Sequence, residues 1–194
     1  ASGRLDGLLV SEDEIQADLR QLARLHIQRA EAAEREGRVA QEPRSRQRAR
    51  ILVRRNLSDA IEVDRFILGR APPHPEETWR ETAECLVRLA ETVAAEPFLE
   101  TDRARRLTSE AASAFLRAAE TAETPGGALE EEALLHAGWS FFAAGQYERC
   151  GEVLRKYLDR FAASDRAGAA QNLLGRALWN LGELAEAARI YRDN

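Results

Sequence analysis

Three histidines, two cysteines and one run of arginines are the side chains in this 194-residue chain with the most obvious chemical potential. Of the histidines and cysteines (His26, His74, His136, Cys85 and Cys150), His136 and Cys150 fall in one expected helical hairpin. Two donors fall short of the four-ligand set that a structural zinc ion requires. HExxH, a glycine-rich phosphate loop and GxSxG are all absent from the sequence. Carboxylates are plentiful, but they are spread as solvated helix faces and not arranged as an acid–base pair. The expectation is therefore a non-enzyme with no metal and no cofactor. The arginine run comprises Arg44, Arg46, Arg48, Arg50, Arg54 and Arg55, with no acidic residue between Pro43 and Ser58. It reads as a basic patch for phosphate or acidic peptide, or as a solvated helix face tied to Glu31, Glu34, Glu36 and Glu42. The run has no interleaved aromatics and the chain carries a formal net charge of −5. The solvated face is the better account, and no nucleic acid is expected as partner.

The elements that must position these side chains are helical. Hydrophobic residues make up 44% of the chain and charged residues 31%, enough for a core and too balanced for disorder. Alanine and leucine abound, and β-branched runs are scarce. No apolar run approaches a membrane span in length. Two cysteines do not suggest a disulfide framework.

One pattern is written twice between Leu134 and Tyr191. Gly138, Phe141, Gly145, Tyr147, Cys150 and Leu154 are followed, each 37 residues later, by Gly175, Leu178, Gly182, Leu184, Ala187 and Tyr191. A fixed step of this size marks a helical solenoid. A glycine in mid-helix costs about 1 kcal/mol against alanine, so Gly138 and Gly175 call for close approach of a partner helix. Gly145 and Gly182 supply left-handed caps that turn the chain. Cys150 and Ala187 are the small residues that leave room for packing.

This pattern resembles the tetratricopeptide repeat. Gly138, Gly145, Tyr147 and Cys150 stand where that family has its small residue, turn glycine, aromatic and second small residue, and Gly175, Gly182, Leu184 and Ala187 repeat them. The step of 37 exceeds the family's usual ~34, and the terminal proline is missing, with Ala162 near its place. The extra length and the phrase from Arg155 to Phe161 are similar to bacterial envelope repeats of the outer-membrane-assembly lipoprotein kind. The resemblance implies an all-α, right-handed solenoid of helical hairpins with antiparallel pairs. It also implies a concave groove lined by the first helix of each hairpin: Leu135, Trp139 and Phe142 in one, Asn172, Arg176 and Trp179 in the next. Asn172 and Arg176 are four apart and share a helix face, and arginine can hold a carboxylate with two parallel hydrogen bonds. The competing reading packs Trp139, Phe142 and Trp179 as core between hairpins.

The rest of the chain fits seven to eight helices in three segments: 1–73, a long hairpin; 74–125, a degenerate repeat; and 126–194, two repeats, the last truncated. Ser11 and Glu14 form a capping box that opens the first helix, with Gly37 as its stop and Leu5, Leu8, Leu9 and Val10 before it as apolar docking residues. A second helix spans about Ser45 to Leu68. Pro75, Glu76 and Glu77 open a third, which Pro97 interrupts. A fourth covers about Thr101 to Ala122, where Ala111, Phe115 and Ala118 precede Cys150, Leu154 and Tyr157 by 39. The lack of methionine and of a polar terminal cap around Asn194 suggests a segment of a longer protein.

The functional expectation is an interaction scaffold that binds a peptide or protein in the groove, with Trp139 and Trp179 partly exposed. The bacterial periplasm or cell envelope is favoured as its compartment. The alternative is a structural spacer that self-associates or docks within a larger protein.

Overall fold

The computed structural model describes residues 11–95 and 101–192. Leu5, Leu8, Leu9, Val10, Pro97 and Asn194, named above, lie outside them. The described residues form eight helices and no strand: α1 (Glu12–Val39), α2 (Pro43–Gly69), α3 (Pro75–Ala94), α4 (Thr101–Thr121), α5 (Ala128–Ala143), α6 (Tyr147–Phe161), α7 (Ala167–Leu181) and α8 (Leu184–Arg192). They divide into two compact units, Ala1–Pro73 and His74–Asn194.

The first unit is one long antiparallel hairpin. Ser11 caps α1: its hydroxyl accepts the Glu14 N–H at 3.2 Å, and the Ser11 N–H donates to the Glu14 carboxylate at 2.9 Å. That reciprocal exchange satisfies two donors which a helix start otherwise leaves orphaned, and it holds the Glu14 carboxyl below the usual range, the backbone bond from Ser11 being the larger cause. Gly37 does not end α1, which runs on to Val39. A Cβ at Gly37 would stand 3.0 Å from the Ala49 Cβ. Its missing side chain serves the approach of α2 and not a turn. Arg46 bonds the Ala40 and Gln41 carbonyls beyond α1, and Arg70 grips Glu12 at 2.7 Å where the far ends of the helices meet.

The second unit holds α3 to α8, each packed on the next, and α5 also touches α7. The two copies of the 37-residue pattern make the same contact. A Cβ on Gly138 would meet Leu154 Cδ2 at 2.7 Å, and a Cβ on Gly175 would meet the Tyr191 ring at 2.7 Å. The first helix of each hairpin therefore lies against the large residue of the second. Gly145 and Gly182 have φ of 76° and 79°, the left-handed region where a side chain is strained. Ala111 and Ala118 of α4 are fully buried, as are Cys150 and Tyr157, which stand 39 residues later in α6.

A polar clasp ties the start of α5 to the segment after α6. The buried Tyr157 hydroxyl donates to Glu131 at 3.0 Å, and the Ser164 hydroxyl donates to the same carboxylate oxygen. The Ser164 bond is the main cause that holds the Glu131 carboxyl below its ordinary range. Burial pushes the Tyr157 phenol up. A lowered carboxyl contributes stability that is complete above the unfolded-state value and fades as pH falls through the folded one. The loss in urea midpoint between about pH 5 and about pH 3 should therefore be smaller for Glu131→Gln than for wild type. An equal loss in both would show that the clasp adds nothing.

Candidate protein-binding groove

The six positions assigned to the groove form three pairs related by the 37-residue step: Leu135 with Asn172, Trp139 with Arg176, and Phe142 with Trp179. They occupy matching places on α5 and α7. Trp139 is 42% and Trp179 63% exposed, so neither is a core side chain. Asn172 and Arg176 are exposed and Phe142 is half-buried. Leu135 departs from the expectation. It is buried at 8% exposure and faces the core beside Leu134. Because α5 is apolar on nearly every side, the residue beside the core stripe is drawn in with it.

Side chains of α5 and α7 meet across the hairpins. The Arg176 guanidinium lies over the Phe142 ring, 4.7 Å from its centroid, and the Tyr147 ring meets Phe142 edge-on at 5.3 Å. A guanidinium held over a ring face gains a cation–π attraction, and its planar fork of N–H donors is the group with which arginine binds carbonyl or carboxylate oxygens.

Trp139 opens onto a second compartment, a groove of 820 Å³ between α3, α4 and α5. Val87, Ala94, Ala104 and Ala143 contribute apolar surface, and Glu91 and Arg105 contribute charge. His136 also lines it, its ring stacked on Phe115 at 5.2 Å. The volume lies within the usual span for ligand sites, as does the pairing of an apolar lining with a few polar groups. None of the α3 and α4 residues of this groove was assigned to binding from the sequence, although Phe115 was named as a repeat position. The 39-residue correspondence of α4 with α6 was the signal that could have led to them.

The remaining candidates fall elsewhere. Cys150 is fully buried and its thiol is pushed up to about 12 by desolvation, so it is no nucleophile at neutral pH. Cys85 is buried as well. His136 faces the groove, with Glu132 at 3.8 Å one turn away. In the first unit, Arg44, Arg48 and Arg55 follow one stripe of α2, spaced like Ile51, which is 58% exposed. Arg55 pairs with Asp59 at 4.0 Å, Arg46 is spent on α1 carbonyls, Arg50 is exposed and Arg54 is half-buried. Glu34 has Arg38 of its own helix at 3.6 Å.

Residues 132–164 match the family model for the tetratricopeptide repeat. That stretch holds most of α5, all of α6 and the Ser164 of the clasp. No curated protein matches the sequence. Among solved structures, the nearly identical TPR-like repeats of a kinesin-light-chain-type protein from Podosopora anserina are similar, at 14% identity and a TM-score of 0.50, over 91% of this chain and 93% of that one. A de novo designed helical repeat protein is similar at 23% identity and a TM-score of 0.44, over 92% of this chain and 78% of its own. Identity this low speaks to the fold alone. The family match covers one hairpin, residues 132–164, and the described residues around it fold as an all-helical array of hairpins similar to the TPR-like repeats.

Proposed function

We propose that this chain is a non-catalytic interaction scaffold that binds a segment of another protein along α3, α5 and α7. The observation that carries this reading is the pair of exposed tryptophans, Trp139 and Trp179, flanking the Arg176–Phe142 stack. Exposed tryptophan and stacked arginine are the residue types that dominate binding energy at interfaces. An apolar side chain of the partner enters the groove beside Trp139. Arg176, with Asn172 one turn before it, takes a carbonyl or carboxylate. The tetratricopeptide-type fold supports the same class of function. The compartment we favour is the bacterial cell envelope, on the resemblance of the Arg155–Phe161 phrase to envelope repeats, and fractionation of the source cells tests it.

A pull-down from lysate of the source organism compares wild type with a Trp139→Ala, Arg176→Ala double variant, both shown by circular dichroism to be equally helical. A protein retained by wild type and lost by the variant is the expected result. Equal retention by both would move the interface off this surface.

A second reading, self-association or docking of repeats, is favoured by the last hairpin. Trp179, Leu184 and Tyr191 are 63%, 52% and 43% exposed, whereas Leu154, the counterpart of Tyr191 in the preceding copy, is fully buried. If this face pairs with a second copy, mass by light scattering should rise with concentration, and Leu184→Glu should abolish the rise. A constant mass in wild type would dismiss pairing.

A further inference from the structure

Where α3 begins and α4 has just ended, three side chains converge. His74 stands at the residue before α3, Glu76 in its first turn, and Glu123 two residues beyond Thr121. One donor atom from each lies within 4.8 Å of the others. The His74 Nδ1 is 2.7 Å from the Glu123 carboxylate and 3.6 Å from Glu76 Oε1. A neutral imidazole has one N–H, and the short distance to Glu123 claims it. At 3.6 Å, Glu76 is beyond hydrogen-bond reach of the same atom.

Glu76 is the unusual member. The residue is 5% exposed, its Oε1 turns towards His74, and its Oε2 is buried with no hydrogen-bond partner. The first turn of α3 favours negative charge there, yet a buried carboxylate oxygen left without a partner is costly. The fold therefore holds an acid in a place that calls for a positive ligand beside it.

We propose that His74, Glu76 and Glu123 bind a divalent transition-metal cation of the zinc class. Donor atoms around a tetrahedral ion at ~2.1 Å stand ~3.4 Å apart, and the observed 2.7 and 3.6 Å straddle that spacing. An imidazole with two carboxylates suits zinc over magnesium or calcium, which prefer all-oxygen shells. On binding, the one imidazole proton moves from Nδ1 to Nε2 so that Nδ1 can ligate, and the Glu76 carboxylate gains a positive charge beside it. The ion joins the residue before α3 to the segment after α4, and so pins the hairpin that walls the Trp139 groove.

Titration calorimetry with zinc chloride on the full chain tests this, with His74→Ala, Glu76→Gln and His136→Ala alongside. Glu76→Gln keeps size and shape, so the variant should remain folded, as circular dichroism at matched concentration checks. Wild type and His136→Ala should each saturate with one zinc ion. His74→Ala and Glu76→Gln should bind ~10-fold or more weakly. Zinc should raise the melting temperature of wild type and not of Glu76→Gln, while magnesium should do neither. The proposal is overturned if wild type shows no saturable zinc binding, or if Glu76→Gln binds as wild type does. Affinity lost in His136→Ala and kept in His74→Ala would overturn it as well.

Discussion

Leu154→Ala should cost about 2–5 kcal/mol of stability, and Gly138→Val about 1–3 kcal/mol, with the two sites strongly coupled. Leu154 is fully buried, and its Cδ2 and Cγ fill the space where a Gly138 Cβ would stand, at 2.7 and 3.0 Å. A new side chain there has no room, because Leu154 has no solvent to turn towards. Removal of Leu154 opens that same space. The double variant Gly138→Ala, Leu154→Ala should therefore be more stable than the sum of its single changes by about 0.5–3 kcal/mol. Gly175 offers the contrast. Its obstacle is the ring of Tyr191, 43% exposed near the end of α8 and able to swing aside. Gly175→Ala should be near neutral, since relief of the glycine's helix penalty of about 1 kcal/mol offsets the shift. Urea unfolding of these variants, with Gly138→Ala alone to complete the cycle, reads all of this. Additive costs at Gly138 and Leu154 would contradict the packing account.

The second large effect is on binding. Trp139→Ala should weaken the captured partner by ~30-fold, the loss expected of an interface hot spot worth about 2 kcal/mol. Arg176→Ala should do the same by a different route. It removes the guanidinium and leaves the Phe142 ring uncovered. Arg176→Lys tests that route, because lysine keeps the charge and loses the planar fork. Its binding should resemble that of Arg176→Ala more than that of wild type. Leu135→Ala belongs to another class. Leu135 is buried, so its loss should lower stability and leave affinity in the folded fraction unchanged.

Much of the second unit was legible in the sequence because a repeat states each constraint twice. Gly145 and Gly182 sit at the turns with positive φ, and Gly138 and Gly175 sit where helices approach. Local patterning failed where it could not separate two causes. Gly37 looked like a stop, but a glycine that ends a helix and one that admits a neighbour are the same letter, and only the position of Ala49 decides. Leu135 was assigned to the groove by its place in the resembled repeat, and α5 is too apolar for its pattern to show that the core stripe includes that position. The His74, Glu76 and Glu123 cluster was invisible for another reason. Glu123 is separated from His74 and Glu76 by almost the whole of α3 and α4, and no spacing rule joins the two ends of a hairpin.

The groove itself is tested most directly by photocrosslinking in lysate. A photoreactive phenylalanine analogue is placed at position 139, facing the α3–α5 groove, or at position 159 on the exposed side of α6. The account predicts one discrete crosslinked partner from 139 and none from 159. The same partner from 159 and none from 139 would contradict it, and would move the binding surface to the second helices of the hairpins.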